Sequence, residues 1–153
     1  MRFVIQVVSQ AKVEVEGKIV GQIGKGYAVL VGVGREDTEA VADRMVKKLL
    51  GLRIFADENG KTNRSLADVN GEVLLVSQFT LYADCTHGNR PGFTNAGLPE
   101  RANELYEYII GKVKETVSVV EKGVFGADMH LTLTNEGPFT IILDSDELFP
   151  KKP

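Results

Sequence analysis

Only two stretches of this chain repeat their apolar residues at helical spacing, and both are bracketed by β-branched runs that do not. In the first, Val41, Met45, Leu49 and Leu52 fall on one helical face. Asp37 or Thr38 can cap it by accepting an orphan backbone N–H, Glu39 suits its first turn, and Lys47 and Lys48 suit its end. In the second, Ala102, Leu105, Tyr106, Ile109, Ile110 and Val113 form the buried face, and Pro99 sits well in the opening turn. Everything else with apolar character reads as strand. Residues 3–8 are apolar and β-branched. Val13-Glu14-Val15-Glu16 alternates strictly before Gly17-Lys18 and Ile19-Val20, the pattern of a hairpin with one wet face. Residues 27–33 and 72–79 read as buried strands, 53–56 as a short one, and 117–121, 130–134 and 139–143 as the strands that close the chain. Many strands with two separated helices predict an α+β fold, mostly antiparallel, in a single domain over 1–153.

A chain of 153 residues can bury about 70% of its unfolded surface, so neither a metal nor a disulfide is required for folding. The single cysteine, Cys85, has no internal partner, no secretory leader pattern opens the chain, and the apolar runs are too short to span a bilayer. A cytoplasmic location, with no membrane partner, is the expectation. The formal net charge of -3 argues against broad coating of nucleic acid, which needs many phosphate-neutralising side chains. It leaves room for a pocket that grips only the last nucleotide of an RNA.

The familiar catalytic sets are poorly represented. No G-x-G-x-x-G or Walker loop follows a strand, and Gly32-Val33-Gly34 lacks the third glycine, so no nucleotide cofactor is expected. The chain has two histidines, His87 and His130. Cys85-x-His87 offers two ligands without a second pair, so no metal site is expected. His130 lies in a strand-like segment, and Cys85 with His87 is a poor nucleophile–base pair because close loop neighbours rarely present that geometry.

Two polar segments stand out. Ser77-Gln78-Phe79-Thr80 ends a buried strand and enters the long loop 83–98. It reads equally as a pocket wall or as an exit turn whose hydroxyls serve local backbone. Asn135-Glu136-Gly137-Pro138-Phe139-Thr140 reads by pattern as a turn between two strands, although an X-Pro bond can also be cis and then aims carbonyls where a trans chain cannot.

Taken together, Ser77-Gln78-Phe79-Thr80 and Asn135-x-Gly137-Pro138-x-Thr140 resemble the two signature motifs of the D-aminoacyl-tRNA deacylase family. Ile5-Gln6-x-Val8-Ser9, Leu52-Arg53-Ile54-Phe55 and Phe125-Gly126-Ala127-Asp128-Met129 resemble further landmarks in the same order, so the resemblance spans nearly the whole chain. It implies a compact barrel-like α+β fold, a homodimer with the site at the subunit interface, and the 3′ end of an aminoacyl-tRNA as partner. It also implies that Ser77, Gln78, Phe79 and Thr80 line the reacting ester and that Phe125 and Met129 lie near the terminal adenosine. Gly137-Pro138, flanked by Asn135 and Thr140, would be cis and reach into the other subunit's site to reject the L hand. No metal or cofactor is implied, and the ribose 2′-hydroxyl would assist the attack, with Thr80 as covalent nucleophile the rival reading. One position departs from the family pattern: Val7 stands where an arginine is common. That arginine would help fix the Gly-Pro loop, and Arg2 and Arg90 are the cations available to replace it. A non-catalytic module that binds aminoacyl-tRNA ends and a general esterase are the competing functional classes.

Overall fold

The computed structural model describes residues 1–151. In chain order its elements are β1 (Arg2–Val15), β2 (Lys18–Ile23), β3 (Gly26–Gly32), α1 (Glu39–Gly51), β4 (Phe55–Ala56), β5 (Thr62–Arg64) and β6 (Glu72–Ser77). A 3-10 turn (Phe79–Tyr82), α2 (Pro99–Lys114), β7 (Val120–Lys122), β8 (Met129–Asp144) and α3 (Ser145–Leu148) follow. β1 is the shared strand. β8 runs antiparallel along one of its edges from Arg2↔Asp144 to Val15↔Met129. β3 and β2 divide the other edge, both antiparallel. β6 and β7 then extend the sheet in parallel beyond β3, so antiparallel pairings predominate, as the strand pattern predicts.

The sheet curls until β2 comes back against β7. Gly21 permits this approach: a Cβ there would stand 2.7 Å from the Lys122 carbonyl oxygen and 3.2 Å from Leu74 Cδ1. The result is a nearly closed barrel with two apolar layers. Inside the curl lie Val8, Ala11, Val13, Ile23, Ala28, Leu74 and Val76. Outside it, α1 and α2 cover Phe3, Ile5, Tyr27, Val29, Val31, Val73 and Leu75. β3 and β6 are therefore buried on both faces, which is why their sequences are apolar without alternation.

Both helices form where the apolar spacing places them, except that Leu52, assigned to the face of the first, stands just past the end of α1 with extended backbone. All six residues assigned to the buried face of α2 are buried, and Pro99 opens it. Thr38 caps α1, its hydroxyl accepting from the Val41 amide at 3.3 Å. Asp37, the other candidate, is used elsewhere: it accepts from the Gly34 amide at 2.6 Å and pairs with the Met1 ammonium at 2.9 Å.

Several strand expectations are corrected. Residues 3–8 and 13–15 belong to one strand, because the ladder to β8 continues through two register shifts near Val8, while Glu16 joins Gly17 in the turn to β2. Residues 130–134 and 139–143 also belong to one strand, β8, since the chain between them bulges out without reversing. Residues 78 and 79 leave β6 for the 3-10 turn. Residues 117–119 do not enter β7 as expected, the Thr116 and Val117 amides being held by the Val113 carbonyl at the end of α2.

Closing the barrel at Gly21 has a measurable consequence. Gly21→Ala should destabilise the fold by about 1–3 kcal/mol, since the obstructing atom is backbone and β7 must move to admit the methyl group. Denaturant unfolding checks this, and a neutral substitution would mean that β2 and β7 are not held at this distance.

Candidate active site

Parallel β3 and β6 end on the same side of the sheet, and a cavity of about 620 Å³ opens there. Val31, Val33, Val76 and Ser77 form its floor, Ala102 and Tyr106 of α2 one wall, and Phe125 and Met129 another. Phe93, Ala96, Gly97 and Leu98 of the long loop form the rim. The loop is not free to wander. Its Gly97 amide donates to the Val33 carbonyl at 2.8 Å, its Asn95 carbonyl accepts from the Arg35 amide at 3.3 Å, and the Arg35 Nε donates to the Thr94 carbonyl.

The sequence-derived residues divide into two groups. Ser77, Gln78, Phe79, Phe125 and Met129 line the one cavity. Thr80 stands just beyond it, exposed, with its hydroxyl accepting from Gln78 Nε2 at 2.5 Å. Phe79 is 56% exposed and meets Phe93 edge to face, the ring centroids 5.0 Å apart. Phe125 packs against Tyr106 at 6.1 Å, and the Tyr106 hydroxyl is anchored on the Leu75 carbonyl at 2.6 Å. Burial drives the Tyr106 phenol well above its ordinary pKa, so it stays protonated and apolar-facing.

The turn Phe79–Tyr82 presents useful chemistry. The opening amides of a 3-10 turn have no carbonyl one turn back to bond. Here the Leu81 amide is the first to find one, on Gln78. The Phe79 and Thr80 amides thus form an adjacent pair of donors beside the cavity, suited to an oxygen on which negative charge develops. Arg2 fixes this turn from behind. Its Nη1 donates to the Leu81 carbonyl at 2.7 Å, its guanidinium lies 4.5 Å from the Tyr82 ring centroid, and its Nε pairs with Asp144 at 2.9 Å. Burial pushes the Asp144 carboxyl up, but the Asp146 amide and Arg2 outweigh it and hold the group ionised below the usual carboxylate range.

The second group stands apart from that cavity. Gln6 pairs with Thr140 and Val8 with Asn135, so the single residue Val7 faces residues 136–139 of β8. Those residues leave the ladder as an excursion with Gly137 and Pro138 exposed at its tip, the peptide between them cis and the Gly137 φ at 114°. Asn135 closes the base: its Oδ1 accepts from the Phe139 amide at 3.0 Å and its Nδ2 donates to the Thr140 hydroxyl at 3.1 Å. The reading of Gly137-Pro138 as a plain turn is therefore corrected.

The family described as D-Tyr-tRNA(Tyr) deacylase matches residues 4–144. The chain belongs to that family. A D-aminoacyl-tRNA deacylase from Thermotoga petrophila is 54% identical over 97% of this chain and 100% of the relative. Another from Rhodopirellula baltica is 53% identical over 94% of this chain and 99% of the relative. A solved structure of a c-Myc DNA unwinding element binding protein, 40% identical, superposes with a TM-score of 0.88 over 94% of this chain and 98% of that one.

Within the family frame, the departure at Val7 has a local answer. Val7 is buried in the helix-side core, and Arg2 is committed to the turn that carries Phe79. The hydrogen bonds that hold the excursion come from Asn135. Sequence reasoning missed Arg35 and Phe93. The only available signal was that the long loop contains an aromatic residue among glycine and proline, a place where side chains are free to serve a ligand.

Asn135→Ala should speed amide exchange at Phe139 by about fivefold, the worth of one hydrogen bond of ~1 kcal/mol, with little change in global stability. Asn135→Asp keeps the acceptor and should retain protection. Unchanged exchange in the alanine variant would show that the excursion is held by other contacts.

Proposed function

We propose that this protein hydrolyses the ester of D-aminoacyl-tRNA, releasing the free D-amino acid and tRNA as a cytoplasmic proofreading step. The observation that carries the reading is the pair of turn amides, Phe79 and Thr80, unbonded among the described residues and set beside a cavity of about 620 Å³ whose described lining holds no nucleophile–base pair. Neither histidine lines that cavity, and Cys85 is exposed on the loop. Acyl transfer does not require a protein nucleophile. Water adds to the ester carbonyl carbon, the amides stabilise the resulting oxyanion, and collapse expels the ribose 3′-oxygen, which takes up the proton. The neighbouring 2′-hydroxyl is placed to relay that proton, and Phe125 and Met129 hold the terminal adenosine.

Chirality is assigned to the excursion. Gly137 and Pro138 do not line the cavity of their own chain, so they act in the site of a second copy, where they exclude an L side chain. An apolar face supports the homodimer: Val4 lies in register between Leu30 and Ile142, and Ile142 is 68% exposed. Leu30 also lines the cavity, and Thr140 beside Ile142 ends the excursion, so this face joins the two functional groups. Glycyl-tRNA, which has no side chain to reject, is accepted too. Among the described residues no helix is long and apolar enough to cross a membrane.

Purified protein should release D-tyrosine from D-tyrosyl-tRNA at least on the order of a hundredfold faster than the L isomer, a discrimination near 2.7 kcal/mol. Chelators should not matter. Equal hydrolysis of both hands sinks the chiral role, tight binding without turnover favours the non-catalytic module, and cleavage of simple esters favours a general esterase. Sedimentation should give about twice the chain mass of 16.7 kDa.

A second assay separates the two attack mechanisms. Thr80→Ala should lose less than about tenfold in rate because the backbone donors remain. Removal of the 2′-hydroxyl from the terminal adenosine should cost on the order of 10² or more. The reverse order would assign the nucleophile to Thr80.

A further inference from the structure

Among the described residues two charged side chains line the cavity, Arg35 and Asp128, and Arg35 is the cation of the two. The carboxylates next to Arg35 in the chain are engaged elsewhere. Glu36 pairs with Lys151 at 2.9 Å, and Asp37 pairs with the Met1 ammonium at 2.9 Å. Among the described residues the Arg35 guanidinium forms no ion pair. Its Nε is spent on the Thr94 carbonyl, one residue from the Phe93 ring that packs on Phe79. A guanidinium held by its Nε presents both terminal nitrogens as a planar fork, a shape that matches two oxygens of a phosphate or carboxylate.

The chemistry of an aminoacyl-RNA end decides between those anions. The amino acid's α-carboxyl is tied up in the ester, so, for every aminoacyl group but the two with acidic side chains, the substrate's negative charges are all phosphates. We infer that Arg35 holds a phosphate of the RNA strand leading into the cavity, and that this contact selects tRNA over smaller esters of the same D-amino acid. The inference rests on the deacylase reading above. It gives a protein of net charge -3 one local cation where the strand must enter, with no need of a broad basic surface.

The test compares D-tyrosyl-tRNA with D-tyrosyl-adenosine, which carries the same ester and no phosphate. Arg35→Gln places an amide nitrogen where the Nε was, so the tether to Thr94 can persist while the charge is lost. Arg35→Lys keeps the charge and loses the fork. For Arg35→Gln, kcat/KM on the tRNA relative to the adenosine ester should fall about tenfold, mainly through KM, as for a lost hydrogen bond to a charged group. The slope of log kcat/KM against log salt on the tRNA should become shallower by about 0.7, one single-strand phosphate contact, and Arg35→Lys should keep the original slope. An equal loss on both substrates would show that Arg35 serves only to position the loop, and an unchanged ratio and slope would show that it meets no phosphate. Either result overturns the inference while leaving the deacylase reading intact. If the unsubstituted protein turns over neither substrate, the reading itself fails and the inference with it.

Discussion

Hydrogen bonding along both edges of β1 is the constraint on which the rest of this structure depends. One edge carries β8 for its full length, and the other is divided between β3 and β2. A strand committed on both sides cannot slide, because a slip of one residue would turn its buried side chains to the wrong face. The fixed ladder has two outcomes. It forces residues 136–139 of β8 out of the ladder opposite Val7, since one residue cannot pair with four. It also sets β3, and through it β6, so that both parallel strands end under the same loop.

The cavity follows from that second outcome. Chains that leave adjacent parallel strand ends must diverge, and the space between them is lined by whatever the exits supply. Here one exit is the 3-10 turn with its two unbonded amides, and the other is the Val33–Arg35 segment that ties down the rim loop. The catalytic resource proposed here is therefore backbone, held by Arg2 and Asp144 from behind. Backbone donors have no rotamers to lose and need no titration, so such a site works without the histidine and cysteine machinery that a scan for side-chain motifs looks for.

Legibility in the sequence varied with how local the determining physics was. Both helices could be read from apolar spacing, and α2 kept all six assigned contacts, because helical periodicity is set within a few residues. The double burial of β3 and β6 could be read from their unbroken apolar runs. The strand count could not. Residues 3–8 and 13–16 look like two strands because the register shift near Val8 changes which face is wet, and only the partner strand reveals that the ladder continues. In the same way Gly137-Pro138 looks like a reversal, because a bulge and a turn use the same residues.

The sequence by itself determined the fold class, the two motifs that place the chain in its family, and the residues in those motifs. These depend on residue identity and short-range order, which the chain carries openly. Tertiary structure alone decided that Ser77–Phe79 and Phe125–Met129 share one cavity while Asn135–Thr140 stands outside it. It also decided that Asn135 clamps the excursion and that Arg35 stands at the rim with its neighbouring carboxylates already paired. The physical reason is distance along the chain. A hydrogen bond or an ion pair is decided by which groups meet in space, and residues such as Glu36 and Lys151, separated by 115 positions, meet only once the sheet has closed.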